Sequence, residues 1–215
     1  MSRPVEIAKS NSRLSVYWWP AVVLLALVAM ALDTKVVDIG TKQDIQTDVF
    51  SAHAYGKKEF PRIQAEIEKT AVDAKVLATA IAQDKAAAGK KYGKPGSVGP
   101  IFPVKFSGTV EKGRNGIFTV AADGIPEDLT IRVQMGPAIN GTDVRDATGT
   151  VSFGQFINQI DYQNAGAALN DEVKSHVLIG IDRDKLEGKK IEVVGVFQLI
   201  NPANWLVTPV WLRLQ

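Results

Sequence analysis

Hydrophobic and polar positions follow three successive patterns along this chain. From Leu14 to Leu32 there is no charged residue ("LSVYWWPAVVLLALVAMAL"), and Val16–Leu32 is close to the shortest apolar run that spans a bilayer as a helix. After Phe60-Pro61, apolar or small residues recur at Ile63, Ile67, Thr70, Ala74, Leu77 and Ile81, in alternating steps of four and three. Those steps place them on one stripe of a helix that Pro61 starts and Gly89 and Gly93 end. A shorter helix is expected over about Asp44–Ala54, with "AYGKKEFP" as the break. Past "KYGKPGSVGP" (91–100), a glycine- and proline-rich linker, the period drops to two.

The period-two segments are 103–110, 116–122 and 129–135, bounded by Lys-Gly, Asn-Gly and Asp-Gly turns. A further strand is expected near Val151–Phe156. A helix follows in the first two-thirds of 164–181, with Ala167, Ala168 and Val173 turned inward. Two β-branched strands, 189–200 and 204–214, close the chain around an Asn-Pro turn. Three strands, a helix and two strands is the order of an OB-type barrel. The expected class is therefore α+β: an N-terminal membrane helix, a helical lead-in, then a small OB-like β-barrel with one inserted helix. The divisions are a cytoplasmic tail at 1–13, a transmembrane anchor or signal at 14–32, a helical segment and linker at 33–100, and the barrel domain at 101–215.

Charge orients the first segment. The formal net charge of +2 arises within residues 1–13, where Arg3, Lys9 and Arg13 outnumber Glu6, and the remainder sums to zero. Basic residues before the apolar run and Asp33, Asp38, Asp44 and Asp48 after it put the N-terminus in the cytoplasm and the body across the membrane. Tyr17, Trp18 and Trp19 suit a headgroup layer. Ala29-Met30-Ala31 also has the small-x-small form that a signal peptidase accepts, so cleavage is the competing reading. The expected location is the bacterial inner membrane, single-pass, with the C-terminal domain in the periplasm. A neutral body lacks the basic surplus that nucleic acid demands.

The chain has no cysteine and only two histidines, His53 and His176, which removes thiolate chemistry and three-histidine metal sites. No G-x-S-x-G, G-x-x-x-x-G-K or H-E-x-x-H occurs. Asp182 and Asp184 flank Arg183 in a turn and read as solvated charges rather than a glycosidase pair. The expectation is a protein that is not an enzyme and needs no cofactor or metal.

The segment "QMGPAINGTDVRDATGTVSFGQFINQIDYQ" (134–163) stands apart. It combines the turn dipeptides Gly136-Pro137 and Asn140-Gly141 with Thr142, Asp143, Arg145 and Asp146, then the amides Gln155, Asn158 and Gln159, and the rings Phe153, Phe156 and Tyr162. Amides, one planar cation, carboxylates and aromatic faces suit a sugar-like ligand. The same residues also suit an ordered loop whose Asn and Asp side chains bond their own backbone and whose arginine pins a turn. Asn140, Thr142, Arg145, Asp146, Gln155, Asn158, Gln159 and Tyr162 are the candidate ligand- or partner-binding residues.

The segments "GPAINGTDVRDA" and "FGQFINQIDYQ", together with "GKKIEVVGVFQLINPANWLVTPVWL", resemble a bacterial family of predicted periplasmic lipoproteins encoded beside sugar ABC-transporter genes. The resemblance covers about residues 30–215. It implies an exported, membrane-attached protein with a barrel-like C-terminal half and an accessory role in carbohydrate uptake, without established catalytic residues. The implied partners are the inner membrane, a sugar ABC transporter permease or its binding protein, and a small carbohydrate; the alternative role is a structural or assembly factor of the envelope. Where many relatives carry a lipid-bearing cysteine before a "KVV"-like segment, this chain has Thr34.

Overall fold

The computed structural model describes residues 18–33 and 50–215, which belong to two units, Met1–Val49 and Phe50–Gln215. In the first, helix α1 (Trp18–Asp33, 16 residues) carries exposed apolar side chains such as Leu24, Leu25, Leu27 and Leu32. Among the described residues no helix is long and apolar enough to cross a membrane. The expected tail 1–13, residues 14–17 of the expected span and Asp44–Val49 of the expected short helix lie outside the described residues.

The second unit is a closed barrel with a helical cover. Strand β2 (Ile101–Arg114) pairs antiparallel with β5 (Lys190–Gln198) from Ile101↔Gln198 to Thr109↔Lys190. Its C-terminal half also pairs with β3 (Ile117–Ala122), which pairs with β4 (Thr130–Gln134). Strand β6 (Asn204–Leu214) joins β4 in parallel and β5 antiparallel, so the order β2-β3-β4-β6-β5 returns to β2. The turn at Asn115-Gly116 has φ of 54° and 76°, left-handed geometry that asparagine and glycine tolerate best. Inside, Trp205 stacks on Phe197 with centroids 4.4 Å apart, and Phe102 packs on Phe197 at 5.7 Å.

The helical lead-in differs from expectation. Helix α2 (Ala52–Thr70) starts at Ser51, whose side chain accepts from Ala54 N–H, and runs straight through Pro61. Pro61 is exposed, so water can serve the carbonyl that loses its donor, and "AYGKKEFP" is helix rather than a break. The real break comes at Ala71–Asp73. There Val72–Asp73 (β1) pairs in parallel with Val104–Lys105, and the Asp73 carboxylate caps α3 (Ala74–Gln83) at Lys75 N–H, 2.9 Å. Asp84 likewise caps α4 (Lys85–Tyr92). The expected stripe is nevertheless the buried one, Thr70 excepted, which is exposed at the last turn of α2. These helices cover the N-terminal half of β2, which explains why Ile101–Val104 is buried on both faces rather than alternating.

No strand forms at Val151–Phe156; Phe153–Gln155 is a single 3₁₀ turn. The barrel closes through β2 and β5, so no edge there is left for another strand to join. Helix α6 (Gln159–Glu172) starts earlier than expected, capped by Asn158, and continues into a π turn at Val173–Val177. Ala165, Ala168, Leu169 and Val173 face inward, whereas Ala167 is exposed.

Helix α6 packs against α2 at Gly56, where an added Cβ would lie 3.0 Å from the Ala168 carbonyl oxygen. Gly56→Leu is expected to push the two helices apart and lower unfolding stability by about 1–3 kcal/mol, the usual cost of overpacking. Urea unfolding of the variant beside the parent checks this; an unchanged midpoint would show that the crossing can shift freely.

Candidate functional site

Residues 135–158 link β4 to α6 across one end of the barrel. The link is tied down at each stage. Gln134, buried on β4, donates to Thr208 Oγ1 (2.7 Å) and to the Asn140 carbonyl (3.1 Å), and its Oε1 accepts from Asn140 N–H (2.9 Å). Asn140 therefore contributes its backbone to the loop while the residue is exposed. Asn170, reaching back from α6, donates to the Gly141 carbonyl at 2.9 Å. Thr142 and helix α5 (Asp143–Asp146) follow.

Three of the predicted residues meet around a fourth, Asp146. Arg145 Nε and Nη2 donate to its two carboxylate oxygens at 2.7 and 3.0 Å, Thr142 Oγ1 donates at 2.8 Å, and the Tyr162 hydroxyl reaches Oδ1 at 3.4 Å. The third guanidinium nitrogen donates to the Tyr162 carbonyl at 3.0 Å, and the guanidinium carbon lies 3.6 Å from the Tyr162 ring centroid. Arg145 is 7% exposed, so this fork-and-stack geometry satisfies a buried cation for which lysine would be no substitute. Burial and the Asp146 carboxylate both hold the Tyr162 phenol above its ordinary pKa, leaving it a neutral donor.

The remaining predicted residues lie outside that cluster. Gln155 fastens its own turn, donating to the Thr150 carbonyl at 3.0 Å and accepting from Ser152 N–H at 3.3 Å. Asn158 caps α6, accepting from Asp161 N–H (2.9 Å) and donating to the Asp161 carboxylate (3.0 Å). Gln159 is exposed on the first turn of α6. Among the described residues no buried side-chain nitrogen or oxygen lacks a partner.

Two features of the site escape a reading by residue type. Phe50 and Tyr55 come from the lead-in to join Phe156, with centroids 5.4 and 5.5 Å from it, and Phe156 in turn packs on Tyr162 at 5.3 Å. Beside this ring cluster, Phe153, Ile157 and Ile160 are 50%, 78% and 67% exposed. The available signal was the absence of any charge between Asp146 and Asp161. The two histidines lie elsewhere. His53 is exposed on α2, and His176 contacts Glu172 at 2.9 Å and stacks on Phe60. Among the described residues no three histidine, aspartate or glutamate side chains are grouped to hold a metal ion.

Residues 21–213 match the DUF2291 family, described as predicted periplasmic lipoproteins. The chain belongs to that family. Membership makes it a membrane-associated protein of the periplasm, although this member has no cysteine on which a lipid could be carried. No curated protein matches the chain. Among solved structures it is similar to an OB-fold protein of Thermotoga maritima, with 18% identity and a TM-score of 0.60 over 78% of this chain and all of that one. That likeness agrees with the barrel order described above and concerns the fold alone.

In this family member one acid beside the cluster is poised differently from Asp146. Asp143 Oδ2 accepts the Gln198 backbone N–H at 3.1 Å, linking α5 to the end of β5. Burial pushes its pKa up to about 6, the Gln198 bond opposes this, and the nearby Asp146 charge adds to it. A raised acid pKa means the folded state binds the proton more tightly than the unfolded one. Its contribution therefore stabilises below about pH 4 and is lost as pH rises through about 6. Asp143→Asn is expected to flatten that part of the stability profile and raise stability at pH 7.5 by on the order of 2 kcal/mol. Denaturation midpoints at pH 4.5 and 7.5 provide the check. Arg145→Ala, by stranding the Asp146 carboxylate, is expected to cost about 3 kcal/mol. A variant as stable as the parent would show that water replaces the guanidinium.

Proposed function

We propose that the chain is a non-enzymatic accessory protein on the periplasmic side of the membrane, working by contact rather than by turnover. One observation carries this reading: the cluster's polar side chains bond one another, while large apolar side chains of the same segment face outward. Catalysis needs polar groups able to change partners during a reaction, whereas a contact surface needs a held shape. The rings would also offer a stacking face to a small carbohydrate, but two of the amides that would orient it, Gln155 and Asn158, are engaged already. With no cysteine, the apolar segment 14–32 supplies the membrane attachment in this reading, with the body in the periplasm.

The partner that the family resemblance implies is a sugar ABC transporter, through its permease or its binding protein. A second reading, an envelope assembly factor docking through the lead-in helices, is favoured by an open groove of about 520 Å³ between α3 and α4. Val76, Ala80, Ala87 and Tyr92 line it.

A clean deletion is expected to lower uptake of the labelled sugar handled by the transporter, with recovery on complementation. Unchanged uptake in the deletion strain would remove the transporter role. Capture of an envelope-assembly protein by a photo-crosslinker at Val76 in the same strain background would favour the second reading.

A further inference from the structure

The three exposed apolar side chains of the capping segment have an unusual setting. Phe153, Ile157 and Ile160 fall within eight residues, in a stretch with no charge between Asp146 and Asp161. Of the polar side chains around them, most are already bonded within the protein, the exposed Gln159 excepted. Gln155 and Asn158 are engaged as described above, the Thr148 and Thr150 hydroxyls bond each other at 2.7 Å, and Phe156 N–H donates to the Phe153 carbonyl. A loop of this kind can leave bulk water at low cost, because few hydrogen bonds have to be broken. Behind it, the Phe50, Tyr55, Phe156 and Tyr162 rings and the Arg145 guanidinium hold its shape.

The position of the patch selects its occupant. Phe50 is the first described residue of the body and sits edge-on against Phe156, so the chain coming from the apolar N-terminal segment joins the body beside the patch. Sixteen residues separate Asp33 from Phe50. Even fully extended, such a connection reaches only about 60 Å. A tether this short keeps a surface patch at an effective concentration of about millimolar near the bilayer, so modest affinity suffices.

We propose that Phe153, Ile157 and Ile160 insert into the lipid headgroup–acyl boundary and orient the barrel on the membrane. Two isoleucines and an aromatic ring are the side chains that such a boundary accepts. The proposal rests on the membrane-tethered reading above and deepens it by naming lipid, rather than a protein, as what meets this patch.

The natural absence of cysteine makes the test direct. Single cysteines at Ile157, at Ala121 on the exposed face of β3 and at Leu25 in α1 would carry an environment-sensitive fluorophore. The full chain would be reconstituted in phosphatidylethanolamine–phosphatidylglycerol vesicles doped with spin-labelled lipid. The expected result is several-fold stronger quenching and a blue shift at position 157 relative to 121, with 25 quenched as well. Quenching at 25 with 157 no different from 121 would overturn the lipid proposal, leave the tether standing and assign the patch to a protein partner. Quenching at neither 25 nor 157 would remove the tether and this inference together. Quenching at 157 alone would support lipid contact while removing the apolar helix as anchor. In a second chain labelled at Phe153, the Ile157→Asp/Ile160→Asp pair is expected to abolish quenching without changing the unfolding midpoint. Retained quenching there would also overturn the proposal.

Discussion

Strand β2 has to pair along both of its edges, and the rest of the body is arranged around that requirement. Its first nine residues pair with β5, and from Gly108 onward it also pairs with β3, so one strand closes the sheet on itself. Gly108 stands at the handover, where a side chain would collide with the Ala121 carbonyl oxygen. Closure gives every long strand two neighbours and leaves the Val151–Phe156 segment no sheet to join. It also leaves a barrel end that must be covered, because the interior holds Trp205, Phe197 and Phe102.

The covering falls to the connection between β4 and α6. A backbone crossing a barrel end takes polar groups out of water, and each needs a partner. Gln134 and Asn170 supply partners for the loop's backbone, and Asp146 gathers two bonds from Arg145 and one each from Thr142 and Tyr162. The segment's polar richness is thus explained by the crossing itself. What the crossing leaves over is apolar: a set of rings packed against the start of α2, with two isoleucines and one phenylalanine facing outward. In the lipid-contact proposal, that surplus is the surface that meets the bilayer.

Family membership and the absence of cysteine bear on each other. A lipoprotein is attached through a lipidated thiol, and this chain has no cysteine. In the function proposed above, the apolar segment 14–32 takes over that attachment. A body that meets the bilayer through its own surface would lessen the demand on a single short helix.

The periodicities of the chain were sufficient for the stripe Ile63–Ile81, for five barrel strands and for their OB order, because burial on one face imposes a period on the sequence itself. They were insufficient for the helix break at Ala71–Asp73: Val72 pairs with Val104, thirty-two residues away, and nothing local encodes that partner. Of the candidate residues, composition picked out Arg145, Asp146, Thr142 and Tyr162, which the fold does bring together. It left open whether they serve a ligand or one another, since residue type says what a side chain can bond and only its neighbours decide what it does bond. The exposure of Ile157 and Ile160, and the arrival of Phe50 against Phe156, belonged wholly to the tertiary structure. Which face of a short loop meets water depends on what packs behind it, and here that packing comes from a helix a hundred residues earlier in the chain.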